Sequence, residues 1–165
     1  MVEKEIKELI KQLGHKKARE RGEAALTLAR YTLIRGVDRE ALPGLVKLLE
    51  DKDKYVCRNA AWVLGVYAER GITDREALPG LVKLLEDEDP ITRWKAVSAL
   101  DRYARQGVVD GESVSSLVNL LRDEYEVVRS AARRALSAVA ERFGVSRKTL
   151  VRAPSIVERF REGVG

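Results

Sequence analysis

The side chains with catalytic or metal-binding reach are few: one histidine, His15, and one cysteine, Cys57, in 165 residues. A zinc site needs several ligands at fixed spacing, and neither residue has carboxylates placed to complete one. His15 stands in the polar stretch Gly14-His15-Lys16-Lys17, where a solvated turn residue is expected, not a ligand or a base. Cys57 falls on a largely inward helical face, and a buried thiol behaves as a small, inert apolar group. No glycine-rich phosphate loop follows a strand, because no segment reads as a strand. Aspartates and glutamates are scattered over turns and helix surfaces, so no acid/base pair stands out. The chain is therefore expected to be non-enzymatic, with no metal, no cofactor and no small-molecule substrate. Its remaining chemistry is that of two tryptophans, Trp62 and Trp94, among many arginines. Trp, Tyr and Arg are the residues that most often anchor protein interfaces.

The elements that must position these residues repeat. Residues 38–51, DREALPGLVKLLED, recur unchanged at 74–87, 36 positions on. A fixed period of this length marks an array in which each unit buries its apolar face only against its neighbours. At this spacing one domain, residues 1–165, divides into units at 2–38, 39–74, 75–110 and 111–146, followed by a capping segment at 147–165 that is expected to form one C-terminal capping helix. Each unit holds two helical stripes. In the second unit these are Leu42, Leu45, Val46 and Leu49, then Val56, Ala60, Leu64 and Tyr67, at helical spacing. Asp38, Asp74, Asp110 and Ser146 stand one period apart as expected caps of helix starts, and Asp89-Pro90 reads as a further cap. Gly36, Gly71, Gly107 and Gly144 follow the second helices, where a left-handed residue commonly ends a helix. Pro43 and Pro79 predict an irregular turn at the start of the first helices. In the terminal segment, Ser155 and Glu158 are spaced for a capping box.

The order Leu-Pro-x-Leu-x-x-Leu-Leu, an Asp, an Arg six residues later and an Ala-rich second helix is similar to the HEAT repeat. The resemblance covers almost the whole chain, and armadillo repeats are close relatives. It implies an all-α, right-handed α-α superhelix of four helix pairs, with the second helices lining the concave surface. It also implies a structural ladder of aspartates and arginines, here Asp51, Asp87, Arg93, Asp123 and Arg129. The sequence departs from that pattern twice. Asp51 is followed by Cys57 instead of Arg, with Arg58 adjacent, and His15 takes the Asp position before Arg21.

With Leu64 at the core centre, helical geometry points Tyr55, Asn59, Trp62, Val66 and Glu69 away from it. One period on, the same rows hold Ile91, Lys95, Ser98, Arg102 and Arg105, with Trp94 on the flank, and then Val127, Ala131, Arg134, Ala138 and Glu141. The expected partner site is the concave face: Tyr55, Trp62, Val66 and Trp94 as apolar area, with Arg58, Lys95, Arg102, Arg105 and Arg134 around them. The alternative use of both tryptophans is to fill gaps between adjacent second helices. The occupant is expected to be a protein, its acidic groups meeting the arginines.

Nucleic acid is the rival occupant, because residues 91–165 carry 14 basic against 9 acidic side chains while residues 1–90 are balanced. A remote version resembles the HEAT-like alkylpurine DNA glycosylases, with Asp101 as its candidate carboxylate. A lone cysteine, no apolar leader and no run long enough to span a membrane predict a cytoplasmic protein. Abundant charge with only Asn59, Asn119, Gln12 and Gln106 as amides resembles proteins from hot environments.

Overall fold

Apolar side chains three and four residues apart must share a helix face, and here they wind the chain into ten α-helices among the described residues. The computed structural model describes residues 2–36 and 39–161. The expected cap at Asp38 lies outside them. The first pair is α1 (Val2–Gln12) and α2 (Ala18–Arg35), the second α3 (Leu42–Lys47) and α4 (Lys54–Glu69). The third is α5 (Ala77–Leu84) and α6 (Pro90–Arg105), the fourth α7 (Gly111–Asn119) and α8 (Glu126–Phe143). Two short helices follow, α9 (Arg147–Arg152) and α10 (Ile156–Arg161). Residues 147–161 thus form two short helices in place of the single capping helix expected, interrupted before Pro154, a residue whose ring disfavours helix in the residue ahead of it.

The boundaries follow the local chemistry. Asp53 caps α4 by accepting from the N–H groups of Tyr55 and Val56, and Asp89, Asp110 and Ser146 cap α6, α7 and α9. Gly36, Gly71, Gly107 and Gly144 all have positive φ, the conformation that lets the chain leave each second helix without a Cβ clash. A 3-10 turn at Arg39–Ala41 precedes Pro43, and another at Leu48–Glu50 ends the first helix of that unit. The Glu158 carboxylate accepts from the Gly111 N–H at 2.7 Å, which ties α10 to the start of α7.

The second helices stack as a row, α2 on α4, α4 on α6 and α6 on α8, and one continuous apolar core runs through all four pairs. Leu64, Leu100, Leu136, Tyr67 and Tyr103 are among its largest fully buried side chains. The duplicated stretch supplies a close contact between units. A Cβ on Gly44 would lie 2.8 Å from Leu13 Cδ1, the mobile end of a leucine, whereas one on Gly80 would lie 2.8 Å from both Cβ and Cδ1 of Leu49. The two identical sequences should therefore respond differently to the same change. Alanine is favoured over glycine in a helix by about 1 kcal/mol, and overpacking costs about 1–3 kcal/mol. Gly44→Ala is expected to be neutral or slightly stabilising, because the Leu13 tip can turn aside. Gly80→Ala is expected to lose about 1 kcal/mol net, because Leu49 Cβ moves only with its backbone. Denaturant midpoints of the two variants check this, and equal midpoints would refute it.

Candidate functional site

A turn aspartate and a second-helix arginine recur every 36 residues, and the structure shows what they bind. Arg93 donates from Nε to Asp123 Oδ2 (2.7 Å) and from Nη2 to Asp123 Oδ1 (3.0 Å), while its Nη1 donates to the carbonyls of Asp87 and Glu88. Arg93 therefore closes its own turn and reaches the aspartate of the next unit. Arg21 does the same, pairing with Asp51 at 2.6 and 2.7 Å and donating to the carbonyls of His15 and Lys16. His15 at the aspartate position leaves this pairing intact, because Arg21 looks forward to Asp51. The imidazole Nδ1 accepts from the Lys17 N–H, as Asp51 accepts from the N–H of Asp53.

Hydrogen bonds from Arg21 hold the Asp51 carboxyl below the usual carboxylate range against the opposing effect of burial. At Asp123 burial works to raise the pKa, and hydrogen bonds from Arg93 and the Tyr125 N–H outweigh it. Arg129 closes its turn through the carbonyls of Asp123 and Glu124 and pairs with Glu126 on its own helix. Asp87 accepts from the Asp89 N–H. The residue that would reach it, Cys57, donates its thiol to the Asp51 carbonyl at 2.8 Å. Burial pushes the thiol pKa up, consistent with an unreactive cysteine. Arg58 spans the same junction further along, pairing with Asp89 at 3.2 Å.

On the second-helix face, a depression of about 230 Å³ crosses three helices. Helix α4 contributes Trp62 and Glu69, α6 contributes Trp94, Lys95, Ser98, Asp101, Arg102 and Arg105, and α8 contributes Arg134. Trp62, Ser98 and Arg134 occupy equivalent positions one period apart, so the variation along the array meets in one place. Both tryptophans are half-buried, packing one side on the core and turning the other to the depression. Gap-filling and surface roles are thus combined in the same side chains.

The charges there are unequally matched. Arg102 donates to Glu69 at 2.5 Å and to the Ser98 carbonyl, and Arg105 pairs with Asp101 at 3.2 Å. Lys95 donates to Asn59 Oδ1 at 3.3 Å and has no ion pair among the described residues. Burial, reinforced by the nearby Arg58 charge, holds the Lys95 pKa below that of an ordinary lysine. Arg134 is exposed and makes neither a hydrogen bond nor an ion pair among the described residues.

Five expected surface positions need correction. Asn59, Val66, Ser98, Ala131 and Ala138 are all buried, Val66 with only 3% exposed, so none offers appreciable area to a partner. The close stacking of second helices is the cause. Gly65 lets α4 approach α6 until its missing Cβ would sit 3.2 Å from Ala99 Cα, and the flanks of α4 close over. Tyr55 is exposed at 46%, with the Arg58 guanidinium 5.6 Å from its ring centre. A second depression, lined by Pro90, Ile91, Trp94, Tyr125 and Val127, lies on the other flank of Trp94. Sequence reasoning missed Tyr125. The signal was the period itself, since Asp53 and Asp89 hold the equivalent cap positions and tyrosine breaks the series.

A family model of HEAT repeats matches residues 42–137. The chain belongs to the HEAT-repeat family. No curated protein matches its sequence. Among solved structures it is similar to an engineered protein from the Northeast Structural Genomics Consortium, at TM-score 0.73 and 27% identity over 92% of this chain and 70% of that one. A second engineered protein from the same consortium matches at TM-score 0.68 and 27% identity, over 97% and 77%. A designed armadillo repeat protein in complex with the peptide (KR)4 matches at TM-score 0.71 and 26% identity, over 90% and 70%. These likenesses fit an all-α solenoid of HEAT repeats. No helix among the described residues is long and apolar enough to cross a membrane, and none of their His, Cys, Asp and Glu side chains form a group of three that could hold a metal ion.

Proposed function

We propose that this HEAT-repeat chain is a non-enzymatic recognition module that holds an extended, acidic segment of a protein partner across α4, α6 and α8. The observation that carries this reading is the depression in which Trp62 and Trp94 meet four cations, Lys95, Arg102, Arg105 and Arg134, against two carboxylates, Glu69 and Asp101. An aromatic floor gives contact area with little side-chain entropy to lose, and the surplus of positive charge selects the sign of the occupant. The designed armadillo protein similar to this chain is in complex with a basic peptide, (KR)4. The lining here carries surplus positive charge, the same sign as that peptide, so an acidic segment is its complement.

Affinity purification followed by mass spectrometry tests the reading. Proteins captured by the chain are expected to be lost with Trp62→Ala and with Trp94→Ala, since truncating an interface anchor costs about 2 kcal/mol or more, a drop of roughly 30-fold. Circular dichroism confirms that the variants remain folded. Capture that survives both substitutions refutes the reading. Binding of single-stranded oligonucleotides that falls steeply with salt and depends on Arg102 and Arg134 would replace a protein partner with nucleic acid.

A further inference from the structure

Trp94 borders two depressions of opposite character. On one flank Lys95 and Arg134 stand without ion pairs, and the lining is basic. On the other, a depression of about 470 Å³ is lined by Pro90, Ile91, Trp94, Tyr125 and Val127, none of which carries a charge. Ile91 is 52% exposed, Val127 53% and Tyr125 45%, so three large apolar or aromatic side chains stand half in water around one hollow. Scattered exposed apolar residues are ordinary, but a contiguous group of them around a concavity marks a contact surface. Ile91 and Val127 occupy the same position in the first turns of α6 and α8, and Tyr125 immediately precedes α8.

Because Trp94 is a wall of both hollows, a chain seated in one touches the rim of the other. An extended peptide sets alternate side chains on one face about 7 Å apart, a step comparable with the width of one indole ring system. Charge complementarity fixes what enters the basic hollow, and the uncharged lining fixes what enters its neighbour. We propose that Trp94 divides two subsites, and that the recognised segment carries an acidic side chain and a bulky apolar side chain two positions apart. This rests on the peptide-binding reading above and specifies the segment it takes.

The test is selection from a random-peptide display library against the full chain, in parallel with the Arg134→Glu, Val127→Glu and Trp94→Ala variants. Arg134 and Val127 are exposed, so their substitutions leave the core untouched. The full chain is expected to enrich peptides with an acidic residue two positions from a leucine, isoleucine or aromatic residue. Arg134→Glu should lower recovery of those peptides roughly tenfold and abolish the acidic preference while keeping the apolar one. Val127→Glu should do the converse. Trp94→Ala should lose both preferences.

Acidic peptides that lack the paired spacing, while still depending on Trp94, overturn the two-subsite proposal and leave the acidic-segment reading standing, whereas basic peptides overturn both. An acidic preference unchanged by Arg134→Glu also overturns it. Enrichment that survives Trp94→Ala, or no enrichment with the full chain, overturns the proposal and the peptide-binding reading together.

Discussion

Arg93→Ala should be among the most destabilising single changes in the chain, lowering stability by about 3–5 kcal/mol, the usual cost of breaking a buried ion pair. The side chains involved are well shielded, with 10% of Arg93 and 5% of Asp123 exposed. Truncation leaves the Asp123 carboxylate with the Tyr125 N–H as a hydrogen-bond donor and strips the carbonyls of Asp87 and Glu88 of their Nη1 donor. For a chain of this size each kcal/mol moves the thermal midpoint by about 2–4 °C, so a fall of roughly 10 °C is expected.

Arg129→Ala is the control. Its turn carbonyls are the same kind of acceptor, but its carboxylate partner Glu126 is 62% exposed, and such pairs contribute about 1 kcal/mol or less. Equal losses for the two variants would show that turn closure, not the link between units, is what the arginines supply. The pH dependence has a definite sign. Asp51 and Asp123 are depressed in the folded state, so the stability they add is complete above the unfolded aspartate pKa of about 3.9 and is lost as pH falls through the lower folded values. Denaturation midpoints should be flat from neutral pH to about 5 with respect to these groups and fall below about 4. The acid-induced fall should be shallower in Arg93→Ala, which has already lost one of the two pairs.

Most of the architecture was legible because it is periodic. An apolar stripe repeated at 36 residues leaves little freedom in helix pairing, and four glycines spaced 35 to 37 residues apart mark the second-helix ends without any tertiary information. Burial on the lateral flanks of the second helices was not legible. Helical geometry says which way Val66 and Asn59 point relative to Leu64, but not how closely α6 approaches α4, and that distance is set by Gly65 opposite Ala99. Pairing across units was hidden for a similar reason. Asp87 and Arg93 are six residues apart and look like partners, yet the carboxylate that Arg93 grips is that of Asp123, and its local contacts are with the carbonyls of Asp87 and Glu88. The cationic lining of the site was visible as a list of arginines. Which of them are already neutralised, and which stand unpaired, depends on where Glu69 and Asp101 lie across the helix row.

The same ladder predicts a gain of stability from Cys57→Arg. Arg21, Arg93 and Arg129 each donate Nη1 to two carbonyls of their own turn, and Arg21 and Arg93 each grip the aspartate of the following unit. At the equivalent position Cys57 satisfies the Asp51 carbonyl, and no arginine among the described residues meets Asp87. The junction between the second and third units is instead bridged by Arg58 with Asp89 and by the exposed pair Lys54 with Glu88 at 3.7 Å. An arginine at 57 would have the backbone geometry its counterparts use, with the Lys52 carbonyl and the Asp87 carboxylate as acceptors. Hydrogen bonds to charged groups contribute about 1.5–3 kcal/mol, and ordering the long side chain costs up to about 2 kcal/mol. Several bonds formed by one ordered side chain favour the former, so a net gain of about 2 kcal/mol is expected. Arg58 is the competing term, since a second guanidinium beside it adds repulsion, and Asp87 is the carboxylate placed to offset that. The thermal midpoint should rise by roughly 5 °C, and the gain should vanish in the double variant Cys57→Arg, Asp87→Asn. A midpoint that falls, or a gain that persists without the Asp87 charge, would mean that cysteine is kept at 57 because the close packing of α4 leaves no room for the rung.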